Sequence, residues 1–146
     1  TVLSAHLFLF YFAIKSGSTP PVALVAVVAA SIAEANWFRT AMTAFIHSLP
    51  GFAVAFMFLY QPALLFDGTS DEIFFAILKA TLAVLAITSG IQGWLLSWLS
   101  LGERLVLILS GIAVFNELLT INLVGFILIS AIFFFRYFYP EVKIIK

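Results

Sequence analysis

A run of small, hydroxyl-bearing and cyclic residues interrupts the apolar N-terminal part of this chain. Pro20 and Pro21 have no amide N–H, and a proline disfavours helix at the residue that precedes it. Carbonyl oxygens that lose their amide donors, with hydroxyl groups beside them, are suitable ligands for a small cation or a polar solute. We therefore predict a substrate and ion site here, and an ordinary turn between two helices is the alternative. The predicted site comprises Ser16, Gly17, Ser18, Thr19, Pro20, Pro21 and Val22.

A single basic residue, Lys15, stands immediately before this site. An ammonium group that faces lipid at depth costs about 3 kcal/mol on insertion scales. We therefore expect Lys15 to face the protein interior or a water-filled cavity, where it could take part in coupling. The alternative is that its side chain extends along the helix to reach the membrane surface.

The other polar residues indicate no enzyme and no transition-metal site. The chain has no cysteine, and its two histidines, His6 and His47, have no carboxylate at metal-ligand spacing. Asn116, Glu117 and Asn122 could form a polar cluster within the membrane, but we favour a solvated loop at the outer surface.

Composition indicates an integral membrane protein in which helices must position these residues. The chain of 146 residues is 64% hydrophobic and only 10% charged, whereas a soluble domain is about a quarter charged. The formal net charge is zero, which gives no reason to expect a nucleic-acid partner. The partner that the composition does require is a lipid bilayer.

Hydropathy along the chain predicts an all-α helical bundle with a discontinuous helix, an amphipathic interfacial helix and about four further transmembrane helices. Residues 2–14 and 20–33 are each too short to cross a bilayer, so we interpret them as the two halves of one broken span. Residues 34–49 are amphipathic, with polar and apolar side chains on opposite faces. Further spans are predicted over 50–66, 73–99, 103–118 and 121–139, and the last two are joined by a tight turn around Thr120.

Charged residues predict the orientation of these spans. Basic loops stay on the cytoplasmic side, and indoles prefer the membrane interface. If the spans alternate, the acidic residues Asp67, Asp71, Glu72 and Glu117 fall outside. The inner side receives Arg39, Arg104, Arg136, Lys143 and Lys146, with Trp37, Trp94 and Trp98 near it. We therefore expect a multi-pass protein whose C-terminus is cytoplasmic.

Two stretches resemble a known family. They are "AHLFLFYFAIKSGSTPPVALVAVVAASIA" and "AFIHSLPGFAVAFMFLYQPALLF". They are similar to the last part of the large membrane subunit of tripartite ATP-independent periplasmic (TRAP) transporters, in the fused permease that works with TAXI-type periplasmic binding proteins. The resemblance covers residues 1–66, and residues 67–146 look like the extra C-terminal helices of such fused permeases.

The resemblance implies a secondary transporter of the bacterial inner membrane. It would take up small carboxylate-like solutes delivered by a TAXI-type binding protein, driven by a cation gradient, usually sodium. No cofactor is implied, and the stretch matching Gly17 to Val22 would belong to the mobile transport domain. The family usually has an acidic or amide residue where Gly17 stands and an apolar residue at Lys15. We therefore hypothesise that Lys15 replaces one bound cation or couples transport to protons.

Two further expectations concern the extent and the role of the chain. It begins "TVLSAHLF", without Met or a basic leader, which we interpret as part of a longer permease chain. The alternative function is a structural membrane scaffold that binds nothing itself. An upstream inverted repeat with its own interrupted segment would favour transport. The sequence does not identify the solute.

Overall fold

The computed structural model describes residues 2–116 and 118–139, and nearly all of its regular structure is helical. Glu117, Lys143 and Lys146, which were assigned to loops above, lie outside the described residues. The chain divides into two compact units, residues 1–73 and 74–146. The helices are α1 (Val2–Lys15), α2 (Leu24–Ile32), α3 (Trp37–Tyr60), α4 (Ser70–Gln92), α5 (Leu101–Ala113) and α6 (Leu119–Phe138), with short 3-10 turns at Ser16–Ser18 and Pro62–Leu65.

Three helices, α3, α4 and α6, are long and apolar enough to cross a membrane. This supports the prediction of a helical membrane protein but corrects the number of spans. The region predicted as a span over 103–118 forms α5, which has 13 residues. At about 1.5 Å per residue it is shorter than a bilayer core of about 30 Å.

Helix α3 corrects the predicted boundary at Pro50. We expected an interfacial helix over 34–49 and a separate span over 50–66, whereas one helix of 24 residues continues through Pro50. Its N-terminus is capped by the Asn36 side chain, which accepts a hydrogen bond from Arg39 N at 3.0 Å. Pro50 is buried within this helix. Packed neighbours allow a membrane helix to tolerate an internal proline, and α1 and α2 both pack on α3.

In the first unit, α1 and α2 lie along α3 in the reverse direction. Phe8 packs on Phe56 with ring centroids 5.3 Å apart, and Phe12 packs on Phe52 at 5.0 Å. Further along, the small residues Ala23 and Ala26 of the α2 region pack on Ala41 of α3. Bulky aromatic contacts therefore hold α1, whereas small side chains allow α2 to approach α3 closely.

The end of α4 also differs from the prediction, because the helix stops at Gln92 rather than continuing to residue 99. Gly93 has a φ of +75°, a left-handed conformation that ends a helix at low cost only for glycine. Two-residue strands β1 (Trp94–Leu95) and β2 (Ser97–Trp98) then pair as an antiparallel hairpin. Arg104 secures the helix end, since its Nε donates to Gly90 O at 2.9 Å and its Nη2 donates to Ile91 O at 2.8 Å.

Helix α5 packs closely on both α4 and α6 in the second unit. A Cβ placed on Gly111 would lie 2.7 Å from Ile87 Cγ1 on α4, and one on Gly125 of α6 would lie 2.9 Å from Ser110 O. The turn between α5 and α6 lies before Leu119, so Thr120, the predicted turn residue, is helical. The glycines of these helices therefore leave room for the side chains and backbone of the neighbouring helix.

A partly buried ion pair joins α6 to the start of α5. Arg136 Nε donates to Glu103 Oε1 at 2.8 Å, and its Nη2 also pairs with Glu103 Oε2. The same carboxylate accepts from Ser100 N at 2.8 Å and completes a capping box. The Arg136 side chain holds the pKa of Glu103 at about 2, below its ordinary value of 4.5. Glu103 therefore stays ionised across the physiological pH range.

Candidate functional site

The seven predicted site residues form an interruption between α1 and α2, which we call the break (residues 16–22). Ser16–Ser18 form a 3-10 turn, and Thr19 adopts an extended conformation with φ of −107°. The peptide bond between Pro20 and Pro21 is cis, and Ala23 enters α2 with a φ of +34°. The prolines and the left-handed Ala23 keep the chain from continuing as one uninterrupted helix.

All three hydroxyl groups of the break donate to carbonyl oxygens at the end of α1. Ser16 Oγ donates to Ala13 O at 2.6 Å, Ser18 Oγ donates to Lys15 O at 3.0 Å, and Thr19 Oγ1 donates to Lys15 O at 2.8 Å. These bonds satisfy carbonyls that the end of a helix leaves without amide donors. Each hydroxyl oxygen keeps lone pairs that can still accept a hydrogen bond or bind a cation.

The backbone of the break is only partly hydrogen-bonded. Thr19 N donates to Ser16 O at 3.1 Å, and Ala23 N donates to Thr19 O at 3.0 Å. Within the described part of the chain, the carbonyl oxygens of Pro20, Pro21 and Val22 receive no such backbone bond. In a continuous helix the amides missing at Pro20 and Pro21 would have bonded the carbonyl oxygens of Ser16 and Gly17, and Ser16 O accepts from Thr19 N instead.

Lys15 does not extend toward the end of a span. A Cβ placed on Gly51 would lie 2.5 Å from Lys15 Nζ and 2.6 Å from its Cε, and Nζ stands 5.8 Å from the centroid of the Tyr11 ring. Gly51 is about 21 Å along α3 from Trp37 and about 14 Å from Tyr60. The ammonium group is therefore directed onto the middle of α3.

A groove beside the break was not anticipated from the sequence. We call it the α2–α3 groove; its volume is about 570 Å³. It lies between the C-terminal half of α2, the connection to α3 and the proline pair. Its lining residues are Pro21, Val27, Ala30, Ser31, Glu34, Ala35, Asn36 and Trp37.

Each of the other candidate side chains described here contacts a backbone carbonyl of its own unit. His6 Nδ1 lies 2.8 Å from Val2 O, and His47 Nδ1 lies 2.8 Å from Thr43 O, so each imidazole contacts its own helix. Residues 2–116 and 118–139 contain no cluster of three potential metal ligands. Asn122, which we expected in a solvated loop, is buried and donates to Val114 O at 2.8 Å.

The sequence did not predict several of the residues that contact charged side chains or line the groove. Gly51 was not predicted to contact Lys15. The one available indication was its lack of a side chain, which leaves room for a neighbouring residue. The Arg136–Glu103 pair joins residues 33 positions apart, and no local pattern predicts such a contact. Glu34 was noted only as the start of an amphipathic stretch.

No protein-family model, no curated protein and no solved structure matches this chain. The similarity to TRAP permeases therefore stays a prediction made from the residues quoted above.

Proposed function

We propose that this chain forms the C-terminal part of a TRAP-type permease in a bacterial inner membrane. The permease takes up small carboxylate-like solutes that a TAXI-type periplasmic protein delivers, and a cation gradient drives it. Residues 1–66 belong to its transport region, and residues 67–146 supply additional transmembrane helices. Its C-terminus is cytoplasmic, with Trp37 and Arg39 near the inner surface.

The observation that supports transport best is the break between the short helices α1 and α2, which lie beside the continuous apolar helix α3. Secondary transporters bind ions and substrates at discontinuous helices near the bilayer midplane. Non-helical backbone at that depth is tolerated only inside protein or around a wet cavity. In this proposal α1, the break and α2 together cross the membrane once, antiparallel to α3.

The break offers oxygen ligands to a coupling cation. The hydroxyl protons of Ser16, Ser18 and Thr19 point to carbonyls of α1, so the outward lone pairs are available. The C-terminal end of α1 carries a partial negative charge that also favours a cation. Sodium fits such a set of neutral oxygens, and we propose it as the coupling ion.

Lys15 sets the coupling stoichiometry in this proposal. Its ammonium lies between α1 and α3 and already neutralises the C-terminal end of α1, which is where a cation would otherwise bind. The permease then needs fewer sodium ions than it would with a neutral residue there, or it couples to protons through Lys15.

The test is uptake by the complete permease in proteoliposomes, with its binding protein, against sodium and against pH. Thr19→Val keeps the shape of the side chain and removes one ligand, so we expect slower uptake and weaker sodium activation. Thr81→Val is the matched control, because Thr81 Oγ1 makes the same bond to Ile77 O, at 2.8 Å, within α4. Lys15→Met should steepen the sodium dependence or abolish the pH dependence.

A structural scaffold is the second candidate, and the hydroxyl bonds favour it. All three hydroxyls of the break cap the end of α1, which is a sufficient structural reason for their presence. Under this alternative, Thr19→Val and Thr81→Val behave alike, and Lys15→Met leaves both dependences unchanged. If the permease transports, equal behaviour of the two threonine variants removes Thr19 from the site, and unchanged dependences in Lys15→Met remove Lys15.

A further inference from the structure

The α2–α3 groove combines features that attract a positive charge. Its lining includes the acidic residue Glu34, and within the described residues no lysine or arginine lines it. Ser31 also lines the groove, and its hydroxyl donates to Val27 O at 2.9 Å, which directs its proton away from a ligand. The last carbonyls of α2 lie at the same end, where the helix dipole is negative.

An aromatic residue, Trp37, lines the same groove. The Trp37 indole is 49% exposed although it begins an apolar helix. Indoles attract ammonium groups to their faces, and the combination of an indole with a carboxylate selects organic ammonium groups over bare metal ions. The apolar lining from Val27, Ala30 and Ala35 suits the carbon skeleton of such a ligand.

The backbone of Glu34 gives an independent reason to assign it a function. Ala35 N donates to Ala30 O at 2.9 Å, which is the bond that closes a helix end around a left-handed residue. That residue is Glu34, with a φ of +50°, at a position that favours glycine. A strained position that carries a carboxylate instead of glycine, and that lines a groove, is the pattern of a functional site.

We propose that the α2–α3 groove binds a small organic ammonium group, with the Glu34 carboxylate as its counter-charge and the Trp37 indole against its face. The groove shares Pro21 with the break, but its ligand differs from the carboxylate-like solute proposed there, because Glu34 would repel a carboxylate. Two sources share this chemistry, a free amine in solution and the headgroup of an amine-bearing phospholipid.

The test is calorimetric titration of the complete chain in detergent micelles with ethanolamine and with choline. Loss of the charged acceptor in Glu34→Gln should weaken binding about tenfold or more. Trp37→Leu should weaken it about fivefold through loss of the indole face. Asp67→Asn, which removes an exposed carboxylate outside the groove, is the matched control and should bind as the parent does.

Glu34→Gly separates a binding role from a structural one. Glycine relieves the left-handed backbone, so this variant should resist unfolding better than the parent while losing the ammonium ligand. Parallel titrations with vesicles of phosphatidylethanolamine and of phosphatidylglycerol identify the source. Binding to phosphatidylethanolamine vesicles but not to phosphatidylglycerol vesicles assigns the site to a lipid headgroup.

Three outcomes overturn the proposal. One is the absence of binding by both amines and by the phosphatidylethanolamine vesicles. Another is equal affinity of the parent, Glu34→Gln and Trp37→Leu. The third is competition by sodium at the same concentration as the amine, which would assign the groove to inorganic cations.

Discussion

Replacing Gly111 by alanine should destabilise the second unit, although alanine is the better helix former. A Cβ at Gly111 would lie 2.7 Å from Ile87 Cγ1 and 3.0 Å from the backbone oxygen of Ala83. Carbon atoms in good contact are about 3.5–4.0 Å apart, so the new methyl group is roughly 1 Å too close to Ile87. The Ala83 contact involves backbone, which a rotamer change cannot relieve.

The size of the effect follows from two opposing terms. Forcing an extra carbon into a packed interface costs about 1–3 kcal/mol. Exchanging glycine for alanine within a helix returns about 1 kcal/mol. We therefore expect Gly111→Ala to lower the free energy of unfolding by up to about 2 kcal/mol.

Gly102 provides a control in the same helix. Within the described part of the chain, a Cβ at Gly102 would meet no atom within 4 Å. Gly102→Ala should therefore show only the propensity term and be unchanged or more stable, by up to about 1 kcal/mol. The assay is reversible unfolding in mixed micelles of increasing SDS fraction, followed by tryptophan fluorescence and circular dichroism. Equal stability of the two variants would refute the close approach of α4 and α5.

Two further measurements address the ion pair and the long helix. The Arg136 side chain lowers the pKa of Glu103 from 4.5 to about 2, so the stabilising effect of the ion pair is complete above pH 4.5 and is lost as the pH falls through about 2. The free energy of unfolding should therefore fall over that acid range, and Glu103→Gln should flatten the fall. An identical acid profile in the variant would contradict the pairing. Spin labels at Arg39 and Leu59 should lie about 30 Å apart along one continuous α3, whereas a right-angle bend at Pro50 would bring them to about 20 Å.

The local sequence is most informative where a structural feature depends on the chemistry of individual residues. The adjacent prolines predict an interruption because they remove two amide donors and disfavour helix before them, and in the structure α1 ends at Lys15 and α2 begins at Leu24. The cost of an ammonium in lipid left two conformations open for Lys15, inward-facing or extended to the membrane surface. The contact of its side chain with α3 comes from the structure.

Local sequence misled where neighbouring helices decided the outcome. Pro50 indicated a helix start, yet α3 continues through it while α1 and α2 pack on it. The apolar run after residue 92 indicated more of the same span, yet Gly93 turns the chain and Arg104 binds the carbonyls at the helix end. The partners that satisfy these backbone groups come from elsewhere in the fold, so no window around the residue contains them.

The sequence by itself determined a helical chain with segments long and apolar enough to cross a membrane, and with polar residues between two short apolar segments. Apolar length, charge depletion and the proline pair act through solvation and backbone hydrogen bonding, which each segment carries with it. Only the tertiary structure decided that Lys15 lies on Gly51, that Arg136 pairs with Glu103, and that Glu34 and Trp37 share a groove. Those contacts depend on which helix faces which, and that choice is made by packing between distant segments.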